Sequence, residues 1–158
     1  RFQLMEGFKE LYRKNQLSQV GEGLIGNFGV LVLLDFAFVS ELETLDLRDN
    51  DLTDEAVIAL SKSKKLERLV SLNLSKNNIS DAGAQALAGS ENLKRLKTLN
   101  LNFNRIGDKG AKAIARSSRL ANLESLKLGQ NKIGTEGARA LNESENLRNL
   151  IHPIFGFY

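Results

Sequence analysis

Leucine residues recur along the chain at a constant spacing of 27 positions. They form two columns, the first comprising Leu45, Leu72, Leu99 and Leu126, and the second Leu47, Leu74, Leu101 and Leu128. Within each unit the leucines alternate with polar residues, as in Thr44-Leu45-Asp46-Leu47-Arg48. Alternation with a period of two sends the leucines to one side of the backbone and the polar residues to the other. The pattern therefore predicts a short strand with one buried face in every unit.

A helix is predicted to follow each of these strands. The strand ends at an asparagine, and an inward-pointing Leu52, Ile79, Ile106 or Ile133 comes next. Pairs such as Thr53-Asp54 and Ser80-Asp81 then supply residues that cap and start helices. Small residues recur on the inner helical face, namely Gly83, Gly110 and Gly137, each followed three positions later by Ala86, Ala113 or Ala140. We expect these small residues to let each helix lie close to the sheet.

A fixed internal period is typical of a repeat architecture, in which each unit buries its apolar face against its neighbours. The pattern L-x-x-L-x-L-x-x-N-x-(L/I) resembles the leucine-rich repeat family. The following x-x-x-G-A-x-A-L is similar to the ribonuclease-inhibitor type or its bacterial relatives, with 27-residue repeats. The resemblance implies an α/β solenoid, a right-handed β-α superhelix with a parallel sheet on the concave face and helices on the convex face. It also implies that one asparagine in each repeat, Asn50, Asn77, Asn104 and Asn131, belongs to a structural hydrogen-bond ladder.

The repeat register divides the chain into four parts. We expect an N-terminal capping helix at 1–14, a degenerate first repeat at 15–41, four full repeats at 42–149 and a partial repeat or C-terminal cap at 150–158. Leu150 to Phe155 would fall in the register of a sixth strand. The aromatic end of the chain could shield the last core layer or support self-association.

Composition narrows the chemistry that the chain can support. The absence of cysteine excludes disulfides and thiol nucleophiles and favours a reducing compartment. With His152 as the sole histidine, no histidine cluster exists for a metal, and we expect no catalytic site and no cofactor. The net charge of +3 gives no strong argument for nucleic acid or an acidic membrane. The longest apolar run, Phe28 to Val39, is too short to span a bilayer.

Recognition should depend on the columns that change between repeats, because the repeating columns build the scaffold. The variable strand positions are Asp46, Asn73, Asn100 and Lys127, then Arg48, Ser75, Asn102 and Gly129, then Asp49, Lys76, Phe103 and Gln130. A further column holds Asp51, Asn78, Arg105 and Lys132. Across these columns the residues change from largely acidic in the first full repeat to basic in the last. Phe103 is a large apolar residue where its counterparts are charged or polar, so it is a candidate anchor for a partner.

The leading hypothesis is a non-catalytic module that binds another protein through the concave face. The alternative is a structural or targeting segment of a larger protein, such as a bacterial effector. A nucleic-acid role through Arg105, Lys127 and Lys132 is a third and weaker hypothesis. We expect a cytoplasmic location, or secretion into a host cell if the chain is part of an effector. The identity of the partner is not encoded in a recognisable motif.

Overall fold

The computed structural model describes residues 25–151, Ile154, Phe155 and four isolated positions near the start, Gln3, Glu6, Gly7 and Glu10. Those four positions are helical and exposed. The rest of the capping helix predicted for 1–14, and the beginning of the degenerate repeat predicted from 15, lie outside the described residues.

Strands and helices alternate along the described chain. The strands are β1 (Thr44–Asp46), β2 (Ser71–Asn73), β3 (Thr98–Asn100) and β4 (Ser125–Lys127). The α-helices are α1 (Gly26–Leu34), α2 (Asp54–Lys62), α3 (Asp81–Ala88), α4 (Asp108–Ala115) and α5 (Thr135–Asn142), and 3₁₀ helices occupy Ala37–Glu41 and Lys64–Leu66. Among the described helices, none combines the length and apolar character needed to cross a bilayer.

The four strands form one parallel sheet in the order β1-β2-β3-β4. Leu45 pairs with Leu72, and Leu72 in turn pairs with Leu99, so equivalent positions of successive units lie side by side. Both leucine columns are fully buried or nearly so. The chain is therefore an α/β solenoid with its core between the sheet and the helix layer.

The asparagine that follows each strand connects neighbouring units through hydrogen bonds. The Asn104 amide nitrogen donates to the carbonyls of Leu74 and Leu101, both at 3.0 Å, and its Oδ1 accepts from the Ile79 backbone at 3.0 Å. Asn77 makes the same contacts one unit earlier. These side chains satisfy backbone groups that would otherwise be buried without partners.

The helices are capped mainly by the preceding unit, which differs from the sequence prediction. Asp81 Oδ1 accepts hydrogen bonds from the backbone of Gly107 at 2.7 Å and Gly110 at 2.8 Å, at the start of α4. Asp54 and Asp108 make equivalent bonds to α3 and α5. The expectation that each pair caps its own helix is confirmed for Ser80, whose hydroxyl oxygen accepts the amide of Ala82 at 3.4 Å. It is wrong for Thr53, whose side chain makes no cap bond to its own helix among the described residues.

The glycines on the helices leave space for these capping carboxylates. A Cβ added at Gly110 would lie 2.8 Å from Asp81 Oδ1, and one at Gly137 would lie 2.6 Å from Asp108 Oδ1. Apolar groups are equally close, since the same Cβ at Gly110 would lie 2.8 Å from Ile106 Cγ2 and 2.9 Å from Ala84 Cβ. Glycine is needed because a carboxylate and apolar groups together fill this space, and not simply because the helix approaches the sheet. In the degenerate first unit Asn27 takes the place of the aspartate and makes the equivalent bond, since its Oδ1 accepts the amide of Thr53 at 2.9 Å. The glycine position of the next helix is taken by Ala56.

The C-terminal ends of the helices are connected by a column of serines. Ser90 donates to the carbonyl of Ser61, and Ser117 donates to the carbonyl of Ala88, both at 2.6 Å. Lys65 plays the equivalent part for α1, where its ammonium donates to the carbonyl of Leu34 at 2.7 Å. Each helix from α2 to α5 is thus fixed to its predecessor at both ends.

Beyond β4, the chain continues in register without forming a strand in its described residues. The Ile151 amide donates to the carbonyl of Glu124 at 3.0 Å, and the carbonyl of Ile154 accepts from the Leu128 amide at 3.0 Å. Ile154 and Phe155 lie in a turn. Positions 152 and 153, where most of a strand equivalent to β4 would fall, lie outside the described residues, and Ile154 is buried against the last core layer.

Candidate functional site

The first variable column contributes mainly to the structure of the strand ends. Asp46, Asn73 and Asn100 are half-buried. Their side-chain oxygens accept the backbone amides two residues later, with distances of 3.1 Å for Asp46, 3.1 Å for Asn73 and 3.0 Å for Asn100. These side chains therefore stabilise the turn that ends each strand. Their predicted contribution to recognition is limited to the atoms that remain exposed.

Lys127 occupies the same column in the last full unit but has no oxygen to offer. The amide of Gly129, two residues later, is instead bound by Asn102 Oδ1 of the preceding unit at 2.7 Å. Asn102 thus supplies the acceptor that Lys127 lacks, and the Lys127 ammonium is not needed for the turn.

Little of the second column is available to a partner. Ser75 is 8% exposed, and its hydroxyl donates to Asn73 Oδ1 at 2.8 Å. Asn102 is half-buried, and Gly129 has no side chain. Arg48 is the exposed member of this column, and its guanidinium forms an ion pair with Asp46 at 2.5 Å.

The third column is the most exposed, and it has an unusual backbone conformation. Asp49, Lys76, Phe103 and Gln130 all have φ of 55° or 56°, in the left-handed region. Left-handed backbone is uncommon for residues other than glycine, asparagine and aspartate, and for a bulky residue such as phenylalanine it is a clear outlier. The conformation turns the chain away at the end of each strand and directs all four side chains into solvent.

Hydrogen bonds between units hold this conformation in place. The backbone amide of Asp49 donates to the carbonyl of Ser75 at 3.0 Å, and that of Lys76 donates to the carbonyl of Asn102 at 2.9 Å. The Phe103 amide donates to the carbonyl of Gly129 at 2.9 Å. These three left-handed residues are therefore held in place on the scaffold, and Phe103 is 51% exposed there.

The fourth column continues the exposed surface beyond the asparagine ladder. Asp51, also left-handed with φ of 53°, accepts a hydrogen bond from the Asn78 side chain at 2.5 Å. Arg105 and Lys132 are exposed. Their backbone amides donate to the carbonyls of Ile79 and Ile106, both at 2.8 Å, which fixes the spacing of the column.

The charge on this surface changes from one end of the sheet to the other. Asp46, Asp49 and Asp51 lie at the β1 end, where Arg48 offsets part of the negative charge. At the other end lie three basic residues, Arg105, Lys127 and Lys132. Phe103 lies between the two ends. We refer to the exposed third and fourth columns together with Arg48 and Lys127 as the strand-end surface.

The described part of the chain gives little support for a metal site or an acid–base site. There, no group of three or more histidine, aspartate or glutamate residues is placed to hold a metal ion. The pKa of Glu91 is lowered, first because its carboxylate accepts a hydrogen bond from Lys94 and also because Arg119 lies nearby. Glu91 belongs to a helix-to-strand connection and not to the strand-end surface. His152 lies outside the described residues.

Sequence reasoning identified the variable columns but did not distinguish their roles. The turn-forming bonds of Asp46, Asn73 and Asn100 could have been anticipated, because aspartate and asparagine commonly bond the backbone two residues later. The left-handed conformation of Lys76, Phe103 and Gln130 left no such signal, because none of these residue types favours it.

Comparison with known proteins places the repeats in a family. The family model described as "Leucine Rich repeat" matches residues 41–61, 68–88, 93–115 and 119–141. A solved structure entitled "Leiomodin-1 Actin-Binding Site 2 (ABS2)" is similar in fold, with a TM-score of 0.56 and 22% sequence identity. That similarity covers 74% of this chain and 71% of the other. No curated protein sequence matches this chain.

Proposed function

This chain belongs to the leucine-rich repeat family, and we propose that it is a non-catalytic protein-binding module that holds its partner on the concave, strand-bearing face. The observation that carries this proposal is the row of left-handed, outward-directed residues at the strand ends. These side chains differ from unit to unit while the backbone beneath them repeats. Such a surface combines a rigid frame with variable contacts, which is what selective recognition requires.

Phe103 is the centre of the proposed contact. An exposed aromatic ring on a rigid backbone can bury a large apolar area without losing much conformational freedom. Surrounding charged groups, acidic toward Asp49 and basic toward Lys132, would orient the partner and select against partners with the wrong charge pattern. The proposed partner is thus a protein with an apolar site flanked by basic groups on one side and acidic groups on the other.

We further propose that the units are 27-residue repeats of the ribonuclease-inhibitor-like type. The constant spacing of the leucine, asparagine and aspartate columns supports this assignment. The structural neighbour's title names an actin-binding site. At 22% identity the likeness concerns the fold, so the proposal specifies a protein partner and does not assign actin.

The test is capture of partners by the wild-type chain and by two matched variants. The first combines Lys76→Asn, Phe103→Asn and Gln130→Asn, since asparagine tolerates the left-handed conformation and should preserve the fold. The second changes exposed residues of the helices, Gln85→Ala, Lys109→Ala and Arg139→Ala.

The proposal is supported if the wild type and the helix variant retain a protein that the strand-end variant loses. The same protein, once purified, should also bind the wild type. Equal retention by all three proteins would contradict it. Loss by the helix variant alone would move the contact to the convex face. If none of the three retains a protein, the alternative of a structural or targeting segment of a larger protein gains support.

A further inference from the structure

A shallow groove lies at the end of the sheet where the strands begin, opposite the strand-end surface. It follows the connections that lead from one helix to the next strand and has a cavity volume of about 630 Å³. Its lining residues are Arg95, Lys97, Asn122, Glu124, Asn149 and Ile151. They come from three successive units, with Arg95, Asn122 and Asn149 at equivalent positions. The groove therefore runs across the direction of the strands, from one unit to the next.

Two amide groups in the groove have a fixed orientation. The side-chain nitrogen of Asn122 donates to the carbonyl of Lys94 at 2.7 Å, and that of Asn149 donates to the carbonyl of Ala121 at 2.9 Å. Within the described part of the chain, neither side-chain oxygen accepts a hydrogen bond. Each nitrogen is used by the protein, so each oxygen remains available as an acceptor for a backbone N–H of a ligand.

Arg95 provides a cation at one end of the same column. Neighbouring basic groups are paired, Lys97 with Glu124 at 2.9 Å and Lys94 with Glu91 at 2.5 Å. The Arg95 guanidinium is exposed and makes no ion pair with any described residue. A planar guanidinium can bind a carboxylate through two parallel hydrogen bonds, so an acidic side chain is its natural ligand.

Ile151 provides an apolar contact at the other end. Its side chain is 70% exposed, and its position is fixed because its amide donates to the carbonyl of Glu124 at 3.0 Å. Lys97 is neutralised by Glu124, so Arg95 is the one lining cation without an ion pair to a described residue, and Ile151 is apolar. A phosphate backbone would therefore find few partners in the groove. A peptide that combines an acidic and an apolar side chain fits these groups better.

The geometry points to a second binding site, independent of the strand-end surface. We propose that it takes a protein segment in the polyproline II conformation, with an acidic residue and an apolar residue three positions apart. Arg95 and Ile151 belong to units that are two strand spacings apart, about 10 Å at the sheet. A polyproline II segment rises about 9 Å over three residues, which is one full turn, so side chains three positions apart face the same side. Its acidic side chain pairs with Arg95, its backbone N–H groups donate to Asn122 and Asn149, and its apolar side chain contacts Ile151.

The test uses the full chain labelled with ¹⁵N and a synthetic peptide, acetyl-Gly-Glu-Ser-Gly-Leu-Gly-amide, followed by NMR titration. Control peptides replace the glutamate with lysine or the leucine with serine. We expect the amide resonances of Asn122, Asn149 and Ile151 to shift. Affinity should fall about fivefold with the lysine peptide or with Arg95→Ala, as for loss of an exposed ion pair. Arg116→Ala removes the same charge from an exposed position outside the groove and should leave affinity unchanged.

Three results would overturn the proposal. One is the absence of shifts at millimolar peptide, and another is equal affinity for the glutamate and lysine peptides. The third is binding of a short single-stranded oligonucleotide at these residues in place of the peptide. Shifts confined to Phe103 and its neighbours would refute the groove while supporting the strand-end surface, so the two sites can fail separately. The NMR spectrum itself reports whether each variant remains folded.

Discussion

The Oδ1 atom of Asp81 lies 2.8 Å from the position that a Cβ would take on Gly110, and it accepts the amide of that same residue at 2.8 Å. The carboxylate of one unit thus occupies the space that a side chain would need on the next helix. Equivalent contacts join Asp54 to Gly83 and Asp108 to Gly137. Between neighbouring full units, one aspartate–glycine pair provides both the helix cap and the close helix contact.

The first prediction concerns the absence of a side chain at Gly110. Gly110→Ala should lower the free energy of unfolding by about 2 kcal/mol, because overpacking outweighs the better helix propensity of alanine. Gly89→Ala is the matched control, since a Cβ there meets nothing closer than 3.5 Å. The control should be neutral or stabilising. Urea unfolding measures both, and equal effects would show that the carboxylate does not restrict the site.

The second prediction concerns the carboxylate itself. Asp81→Ala should cost about 1–2 kcal/mol, because the amides of Gly107 and Gly110 lose their acceptor. In this background the added methyl of Gly110→Ala still meets Ile106 and Ala84 but no longer meets the carboxylate. The double variant should therefore be more stable than the sum of the two single effects predicts, which a double-mutant cycle detects. Strict additivity would contradict the contact.

The third prediction concerns the asparagine ladder. Asn104→Ala should lower the free energy of unfolding by about 3 kcal/mol, since several backbone groups lose a buried partner. Asn142→Ala, at an exposed position, should change stability by less than about 0.5 kcal/mol. Chemical denaturation of the two variants checks the difference. Similar values would mean that Asn104 is replaceable by water.

The fourth prediction separates stability from recognition at Phe103. Phe103→Asn should maintain or raise the free energy of unfolding by up to about 1 kcal/mol, because asparagine tolerates left-handed backbone better than phenylalanine. Gln130→Asn, in the same column and with the same φ of 56°, is the control. Thermal unfolding gives the comparison. A marked loss of stability in Phe103→Asn alone would show that the ring packs against the protein.

The repeat period predicts much of the fold. Leu45, Leu72 and Leu99 lie side by side because residues in equivalent columns meet when units stack in register. The period does not reveal which atoms of neighbouring units meet. The role of Asp81 in capping the next helix was therefore missed, and Gly110 was explained by closeness to the sheet.

The binding surface was harder to predict than the core. Exposed columns could be located from alternation, but exposure alone does not show whether a polar side chain is already hydrogen-bonded within the protein. Asn73 and Ser75 bond each other and the strand end, whereas Lys76 next to them extends into solvent. Local hydrogen bonding and backbone conformation decide this difference, and neither follows from hydrophobic periodicity.

We propose that a protein partner contacts the strand-end surface around Phe103, and photo-crosslinking can detect this contact. A benzoylphenylalanine is placed at position 103 in one variant and at position 85, on the exposed side of α3, in another. We expect a crosslinked protein from position 103 and none from position 85, with the yield reduced by addition of unlabelled wild-type chain. Crosslinking from position 85 alone, or equal crosslinking from both positions, would contradict it.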